Sequence, residues 1–366
     1  MSAPLPPLAQ IPPQIAAVAD YAAFARERMT AAAWAYFEGG AGDEQTLADN
    51  RAAFARLRLR NRVLVDLSQG DTRIDLFGDR FDYPILLAPV AHQRLAHPDG
   101  EQASLLAASA MRAGMVVSTE SDTPLEDLAR AARTPLWFQL YFQPDRAATA
   151  ALLRRAEAAG CRALVLTVDA PVNGPRNREQ RAGLARPPGQ PGAAPPLLLR
   201  PGESLFDSAL LKAAPTWADL DWLRRQTRLP LLLKGITAVE DALRAEAAGV
   251  DGIIVSNHGG RLLDSQIASI DALPEIAAAL GGRLPILLDG GIRRGTDILK
   301  ALALGACAVL VGRPCVHALA SAGAPGVAHV LHLLRSELET AMALCGCPTL
   351  AAIDRRILIR RDQSAG

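Results

Sequence analysis

The run Gly252-Ile253-Ile254-Val255-Ser256-Asn257-His258-Gly259-Gly260-Arg261-Leu262-Leu263-Asp264 begins apolar and breaks into a polar loop rich in glycine. Four consecutive apolar residues fit a strand buried on both faces, as in a parallel sheet. Directly after it, a potential base (His258) and a fixed cation (Arg261) stand three residues apart with glycines between them. A lone histidine is ordinarily a satisfied structural residue. The flanking glycines and the paired arginine favour a functional reading, because loops at strand C-termini are where α/β enzymes keep their chemistry.

Outward from this stretch, a period repeats from residue 83: a short apolar run, a polar or glycine break, then an amphipathic segment. The predicted strands are 84–88, 115–117, 136–141, 163–167, 231–234, 252–255, 285–288 and 308–311. Helical segments lie between most of them, such as 146–159 and 237–248, the latter ending at Gly249 as a helix C-cap does. Eight such units predict an α/β (β/α)₈ TIM barrel rather than a doubly wound sheet. No G-x-G-x-x-G follows any strand, so a Rossmann reading lacks its fingerprint. The expected organisation is a single domain over 1–366: a helical N-terminal extension (1–80), the barrel (81–322), and a C-terminal helix and tail (323–366). The Pro/Gly-rich stretch around 178–215 interrupts the period between strands four and five and reads as a mobile lid over the barrel mouth.

Composition narrows the function. Half of the 366 residues are apolar, 21% are charged and the net charge is +1, which argues against disorder and against a nucleic-acid surface. Cysteines 161, 307, 315, 345 and 347 form no pair of pairs, so no metal site is expected, and reduced buried thiols suit a cytoplasmic protein. The N-terminus lacks a basic region followed by an apolar core, so no signal peptide is expected. The longest apolar run, 301–311, is too short to span a bilayer.

Polar side chains collect at the strand ends: Gln139 and Tyr141, Thr167 and Asp169, Lys234, Ser256 and His258, Asp289, and Gly312 with Arg313. Each alone reads as a cap or packing residue; as a set they mark the barrel mouth, where such active sites lie. Two glycine-bearing segments, Asp289-Gly290-Gly291-Ile292-Arg293-Arg294-Gly295 and Gly312-Arg313-Pro314, suggest a phosphate cradle, against the alternative of two ordinary turns. Lys234 suits either a Schiff-base aldolase or a cation against an anionic ring. Arg176 and Arg261 favour an anionic substrate in both cases, since a guanidinium grips a carboxylate bidentately.

The sequence resembles the FMN-dependent α-hydroxy acid oxidases and dehydrogenases, a family that includes glycolate, lactate and hydroxymandelate oxidases. The matching segments are Tyr36–Ala41, Ala88–Ala91, His97–Glu101, Phe138–Tyr141, Leu166–Asp169, Leu233–Gly235, Ser256–Asp264, Leu288–Asp297 and Gly312–Pro314, in the family's order over nearly the whole chain. The resemblance implies FMN across the barrel mouth, with His258 as active-site base and Asp289 orienting its ring. It implies Arg261 and Arg176 on the substrate carboxylate, helped by the hydroxyls of Tyr36 and Tyr141, and Lys234 beside the flavin pyrimidine. Pro89, Val90, Ala91, Ser118, Gln139, Thr167 and Ser256 would line the ring and ribityl chain. Gly312, Arg313 and the segment Asp289, Gly290, Gly291, Ile292, Arg293 would take the phosphate end.

Three departures stand out. Glu120 replaces an aromatic residue common near the substrate side chain, Leu262 replaces a glutamine, and Pro175 with Arg178 makes a second candidate for the carboxylate ligand, Arg176 being favoured by its distance from Gly174. The expected activity is oxidation of an L-2-hydroxy acid to the 2-oxo acid. Electrons would pass to oxygen, or to a quinone or carrier; no heme domain is expected as a built-in acceptor. Leu197-Leu198-Leu199 and Leu205-Phe206 offer an alternative contact to a membrane quinone pool. The competing readings are an FMN-binding barrel whose activity has lapsed and a cofactor-free aldolase using Lys234. The resemblance further implies a homo-oligomer, a tetramer.

Overall fold

A computed structural model of the chain describes residues 3–183 and 202–360. Eight parallel strands close into a barrel: β1 (Ile85–Leu87), β2 (Gly114–Ser118), β3 (Leu136–Leu140), β4 (Ala163–Thr167), β5 (Leu231–Ile236), β6 (Gly252–Val255), β7 (Ile286–Leu288) and β8 (Ala308–Val311). They pair in sequence order, with β8 returning to β1. Every one falls on a predicted apolar run, because both faces are buried: one against the interior, the other against the surrounding helices. The helices 146–158 and 239–247 are also where the amphipathic pattern places them, and Gly249 follows the second at φ 71°.

The inside of the barrel is a packed core. Leu86, Val116, Trp137, Val165, Leu232, Ile254, Leu287 and Leu310 meet there, all essentially inaccessible. Residues 1–80 are not purely helical, as the sequence had suggested. Three helices, α1 (Tyr21–Arg28), α2 (Ala31–Glu38) and α3 (Gln45–Arg56), are followed by Leu57–Leu59, which pairs antiparallel with Leu358–Arg360 of the tail. A hairpin, Ile74–Leu76 with Asp79–Phe81, then brings Leu76, Phe77 and Phe81 onto the interior cluster, both aromatic rings standing edge-on to Trp137 at 5.4 and 6.2 Å. The hairpin thus closes the end of the barrel where the strands begin, and the opposite end is left for ligands.

A helix runs over Arg313–Leu344, broken only at Ala322 and Gly323, where the backbone leaves helical geometry. That break coincides with the expected boundary between barrel and C-terminal helix. Within and beside the segment around 178–215 stand helix Asn177–Ala182, a 3-10 turn of helix at Leu205–Asp207 and a short α-helix at Ala209–Lys212. Residues 184–201, including the Leu197–Leu199 run, lie outside the described residues.

Trp137 carries the largest fully buried side chain. Its replacement by alanine should therefore lower stability by about 3–5 kcal/mol through lost burial and the cavity left behind. Urea unfolding should show this as a lower midpoint at an unchanged slope.

Candidate active site

Strand register brings the polar ends together. Ser118 lies opposite Gln139 on β2 and β3, and Thr167 opposite Lys234 on β4 and β5. They open onto a cavity of about 420 Å³ at the strand C-termini. Its walls include Tyr36, Pro89, Val90, Ala91, Ser118, Gln139, Tyr141, Thr167, Arg176, Lys234, His258, Arg261, Asp289, Gly290, Gly291, Ile292, Arg293, Gly312 and Arg313. Ser256, the remaining expected site residue, sits just beneath, accepting from Lys234 Nζ at 2.9 Å and from the His258 backbone N–H at 3.0 Å.

The loop after β6 is held in an unusual shape. His258, Gly259 and Gly260 all take positive φ (56°, 63° and 74°), a region that L side chains adopt at a cost. A Cβ on Gly260 would stand 2.6 Å from the Leu47 backbone nitrogen, so only glycine lets α3 approach. Two contacts from α3 fix the loop. Asn50 and Asn257 exchange reciprocal amide hydrogen bonds of 2.8 Å, both side chains being buried. Asp264, at the far end of the signature, accepts from the backbone N–H groups of Asp43 (2.8 Å) and Thr46 (2.9 Å) at the start of α3. The sequence offered no sign of Asn50, which lies 207 residues before its partner.

The histidine's partner is Asp169. His258 Nδ1 lies 3.1 Å from Asp169 Oδ1, so the ionised carboxylate accepts a hydrogen bond from Nδ1–H and leaves Nε2 as the basic nitrogen. This corrects the expectation that Asp289 orients the ring: Asp289 Oδ2 instead pairs with Lys234 Nζ at 3.1 Å. Asp169, seen in the sequence only as one more polar strand end, is the residue that sets the tautomer. Burial pushes the His258 pKa down; the charge of Asp169 opposes this, Lys234 and Arg176 reinforce it, and the net shift is downward. For Lys234 burial works against the charge, but Asp289 and Asp169 outweigh it and the pKa rises. A Schiff base needs a neutral amine, so this environment does not favour the aldolase reading.

Three partly buried guanidiniums line the cavity with no salt bridge to a carboxylate among the described residues. Arg313 donates to the carbonyls of Phe37 (2.8 Å), Gly259 (2.8 Å) and Gly39 (3.0 Å). Arg293 donates to Ile292 O at 2.8 Å. Arg261 donates to the Tyr36 and Gly39 carbonyls and stands 5.0 Å over the Tyr36 ring. Burial is the main cause that lowers their pKa values, to about 9 for Arg313 and about 10 for Arg293 and Arg261. Desolvated cations of this kind are suited to anionic ligands. Arg176 also lines the cavity, 3.4 Å from Glu179 and 3.0 Å from Asn173 Oδ1. Arg178 is outside it, paired with Glu44 and 41% exposed. Gly174 makes the placing of Arg176 possible, since a Cβ there would fall 1.7 Å from the Leu262 carbonyl oxygen. Leu262 itself is buried and forms part of the cavity wall.

The model of the family described as FMN-dependent dehydrogenase matches residues 25–360. The chain belongs to that family. Among curated relatives of the family, the L-lactate oxidase of Nostoc sp. is 49% identical over 352 residues, covering 93% of this chain and 96% of the relative. The peroxisomal (S)-2-hydroxy-acid oxidase of Oryza sativa subsp. japonica is 45% identical over 346 residues, 92% and 94% of the two chains. A crystal structure of mandelate oxidase with (S)-2-phenylpropionate superposes with a TM-score of 0.84 at 43% identity, covering 94% of this chain and 98% of that one.

The cavity suits the family's cofactor. Gln139 Nε2 and Asp289 Oδ1 are buried polar atoms without a hydrogen-bond partner, and such orphans are costly unless a ligand completes them. FMN would supply acceptors for the amide donor, hydroxyl donors for the carboxylate and a phosphate for Arg293 and Arg313, so these residues would hold it.

Because Asn50 holds the catalytic loop through Asn257, Asn50→Ala should cost about 1–3 kcal/mol in thermal or urea unfolding, the penalty of a buried unsatisfied amide. It should also lower kcat more than it raises KM, because the loop carrying His258 loosens.

Proposed function

We propose that the protein oxidises an L-2-hydroxy acid to the corresponding 2-oxo acid and passes the electrons to oxygen. The observation that carries this reading is one cavity that joins an imidazole, its Nδ1 held by Asp169, to two guanidiniums, Arg176 and Arg261. The names of the relatives, lactate, (S)-2-hydroxy-acid and mandelate oxidases, support the same reaction class.

Arg176 and Arg261 grip the substrate carboxylate and so fix the hydroxyl-bearing carbon. Tyr36 and Tyr141 stay protonated, their pKa values raised chiefly by burial, and offer hydroxyl donors to the carboxylate and the developing carbonyl oxygen. His258 Nε2 accepts a proton of the hydroxy acid, and the Asp169 carboxylate stabilises the imidazolium that results. When bound, FMN takes up the electron pair that the substrate loses. Lys234, kept as an ammonium by Asp289, would place a positive charge against a bound flavin ring and so favour electron uptake there. A lapsed site has no need of this full set, and its retention supports an active enzyme.

The five cysteines are all free thiols, which supports a reducing, cytoplasmic setting; among the described residues no helix is long and apolar enough to cross a membrane. Exposed Val63, Leu64 and Leu344, on segments joined by the Arg62–Leu344 backbone hydrogen bond, support burial of that face in a homo-oligomer, a tetramer in our reading.

The test is anaerobic. L-lactate, L-mandelate or a longer homologue should bleach the flavin of the purified protein, and air should restore the colour with release of hydrogen peroxide. Slow recolouring in air but fast recolouring by a quinone would replace oxygen as acceptor, and a loaded flavin that no hydroxy acid bleaches would overturn the activity. Arg176→Ala should lower the bleaching efficiency by about 10- to 100-fold, the loss of a charge-assisted hydrogen bond, whereas Arg178→Ala should change it by less than about fivefold.

A further inference from the structure

The last turn of α2 seats two cations that serve different ligands. A helix leaves its final carbonyls without intrahelical donors, and Gly39, which caps α2, is extended (φ −64°, ψ 146°). Arg313 donates from Nε to the Phe37 carbonyl at 2.8 Å and from Nη2 to the Gly39 carbonyl at 3.0 Å. Arg261 donates from Nη1 to the Tyr36 carbonyl and, at 3.0 Å, to the same Gly39 carbonyl. One oxygen thus accepts from both guanidiniums. They stand close enough to repel: after burial, the charge of Arg261 is the largest influence that lowers the Arg313 pKa. The negative end of the α2 dipole favours cations at this turn and offsets that repulsion.

These contacts decide which N–H groups are left for ligands. Among the described residues Arg261 donates only through Nη1, so Nε and Nη2 form the edge available to a carboxylate. Arg313 is tied to three carbonyls, the third being Gly259 at 2.8 Å in the loop of His258. One N–H on each of its Nη atoms remains for an anion. A guanidinium is a rigid fork, so a shift of the Gly39 oxygen turns both side chains. The helix end fixes that oxygen in its turn. A Cβ on Gly39 would stand 2.5 Å from the Ala35 carbonyl oxygen, so any larger residue must move the turn.

Resting on the hydroxy-acid reading above, we propose that Gly39 is a positioning residue whose carbonyl aligns the substrate-end guanidinium of Arg261 with the phosphate-end guanidinium of Arg313, so that disturbing one seat is felt at the other. Cofactor and substrate are then oriented by a single turn of α2, the turn that also carries Tyr36.

Arg313→Lys tests this, because an ammonium keeps the charge but cannot span Phe37, Gly39 and Gly259. Two quantities are read separately. One is the dissociation constant of FMN from the apoprotein, followed by flavin fluorescence. The other, at saturating FMN, is the half-saturating concentration of the best-bleaching hydroxy acid in anaerobic flavin reduction. Arg313→Lys should raise that concentration by about three- to tenfold, within the range for residues that share a partner, and change the limiting rate by less than about threefold. Gly39→Ala should raise it and the FMN dissociation constant by about tenfold each, the scale of one hydrogen bond to a charged group. Adding Arg313→Lys to Gly39→Ala should raise the half-saturating concentration no further, whereas independent effects multiply. Weaker FMN binding in Arg313→Lys with an unchanged half-saturating concentration overturns the proposal alone, as do multiplying effects in the double variant. Should Gly39→Ala fail to fold, Arg313→Lys decides by itself. If no hydroxy acid bleaches the wild-type flavin, the hydroxy-acid reading itself falls and this proposal with it.

Discussion

An imidazole is useful as a base at neutral pH only if it is kept neutral and kept pointing one way; burial does the first for His258, and the contact between its Nδ1 and Asp169 does the second. The rest of the mouth can be read as support for that contact. The left-handed run 258–260 turns the ring back over the strand ends, glycines permit it, and the Asn50–Asn257 amide pair with the Asp264 contacts to α3 holds it there. Gly235, directly after Lys234, leaves room for the Asp169 side chain, which a Cβ would approach within 2.5 Å. Strain at one turn is thus offset by hydrogen bonds that reach it from a helix far away in sequence.

Charge placement follows the same logic. Two carboxylates at neighbouring strand ends take different partners: Asp169 serves the histidine and Asp289 the lysine. Turning Asp289 to the histidine instead would take from Lys234 its 3.1 Å counter-charge in a buried position, where an unpaired ammonium is costly. The guanidiniums of Arg261, Arg293 and Arg313 are treated differently. They rest on backbone carbonyls, which hold their orientation without neutralising them. Anionic ligands entering the cavity could then supply the missing charge.

The barrel was legible because its strands are continuous apolar runs, and the mouth because polar side chains follow those runs at strand after strand. The strands of three residues at 57–59, 74–76, 79–81 and 358–360 were not legible, since a segment that short shows no periodicity. Asp169 and Asp289 were both visible as candidates. Which of them reaches His258 depends on strand order and on the backwards turn at 258–260, and neither is written in local spacing. Asn50 was hidden for a related reason, as its role exists only through a partner more than two hundred residues away. Arg176, chosen over Arg178 by its spacing from Gly174, does line the cavity, because that spacing, where the backbone meets Leu262, is a local property.

The pH dependence of flavin reduction tests the central pairing most directly. His258 acts in its neutral form, and its pKa lies below the ordinary value of 6.5, with burial the largest cause. The acid limb of the reduction efficiency should therefore fall below pH 6.5, with full activity above it. Asp169 is the charge that raises this pKa, so in Asp169→Asn the limb should move to still lower pH while the plateau rate drops. A wild-type limb at or above 6.5, or one that stays in place in Asp169→Asn, would contradict the account.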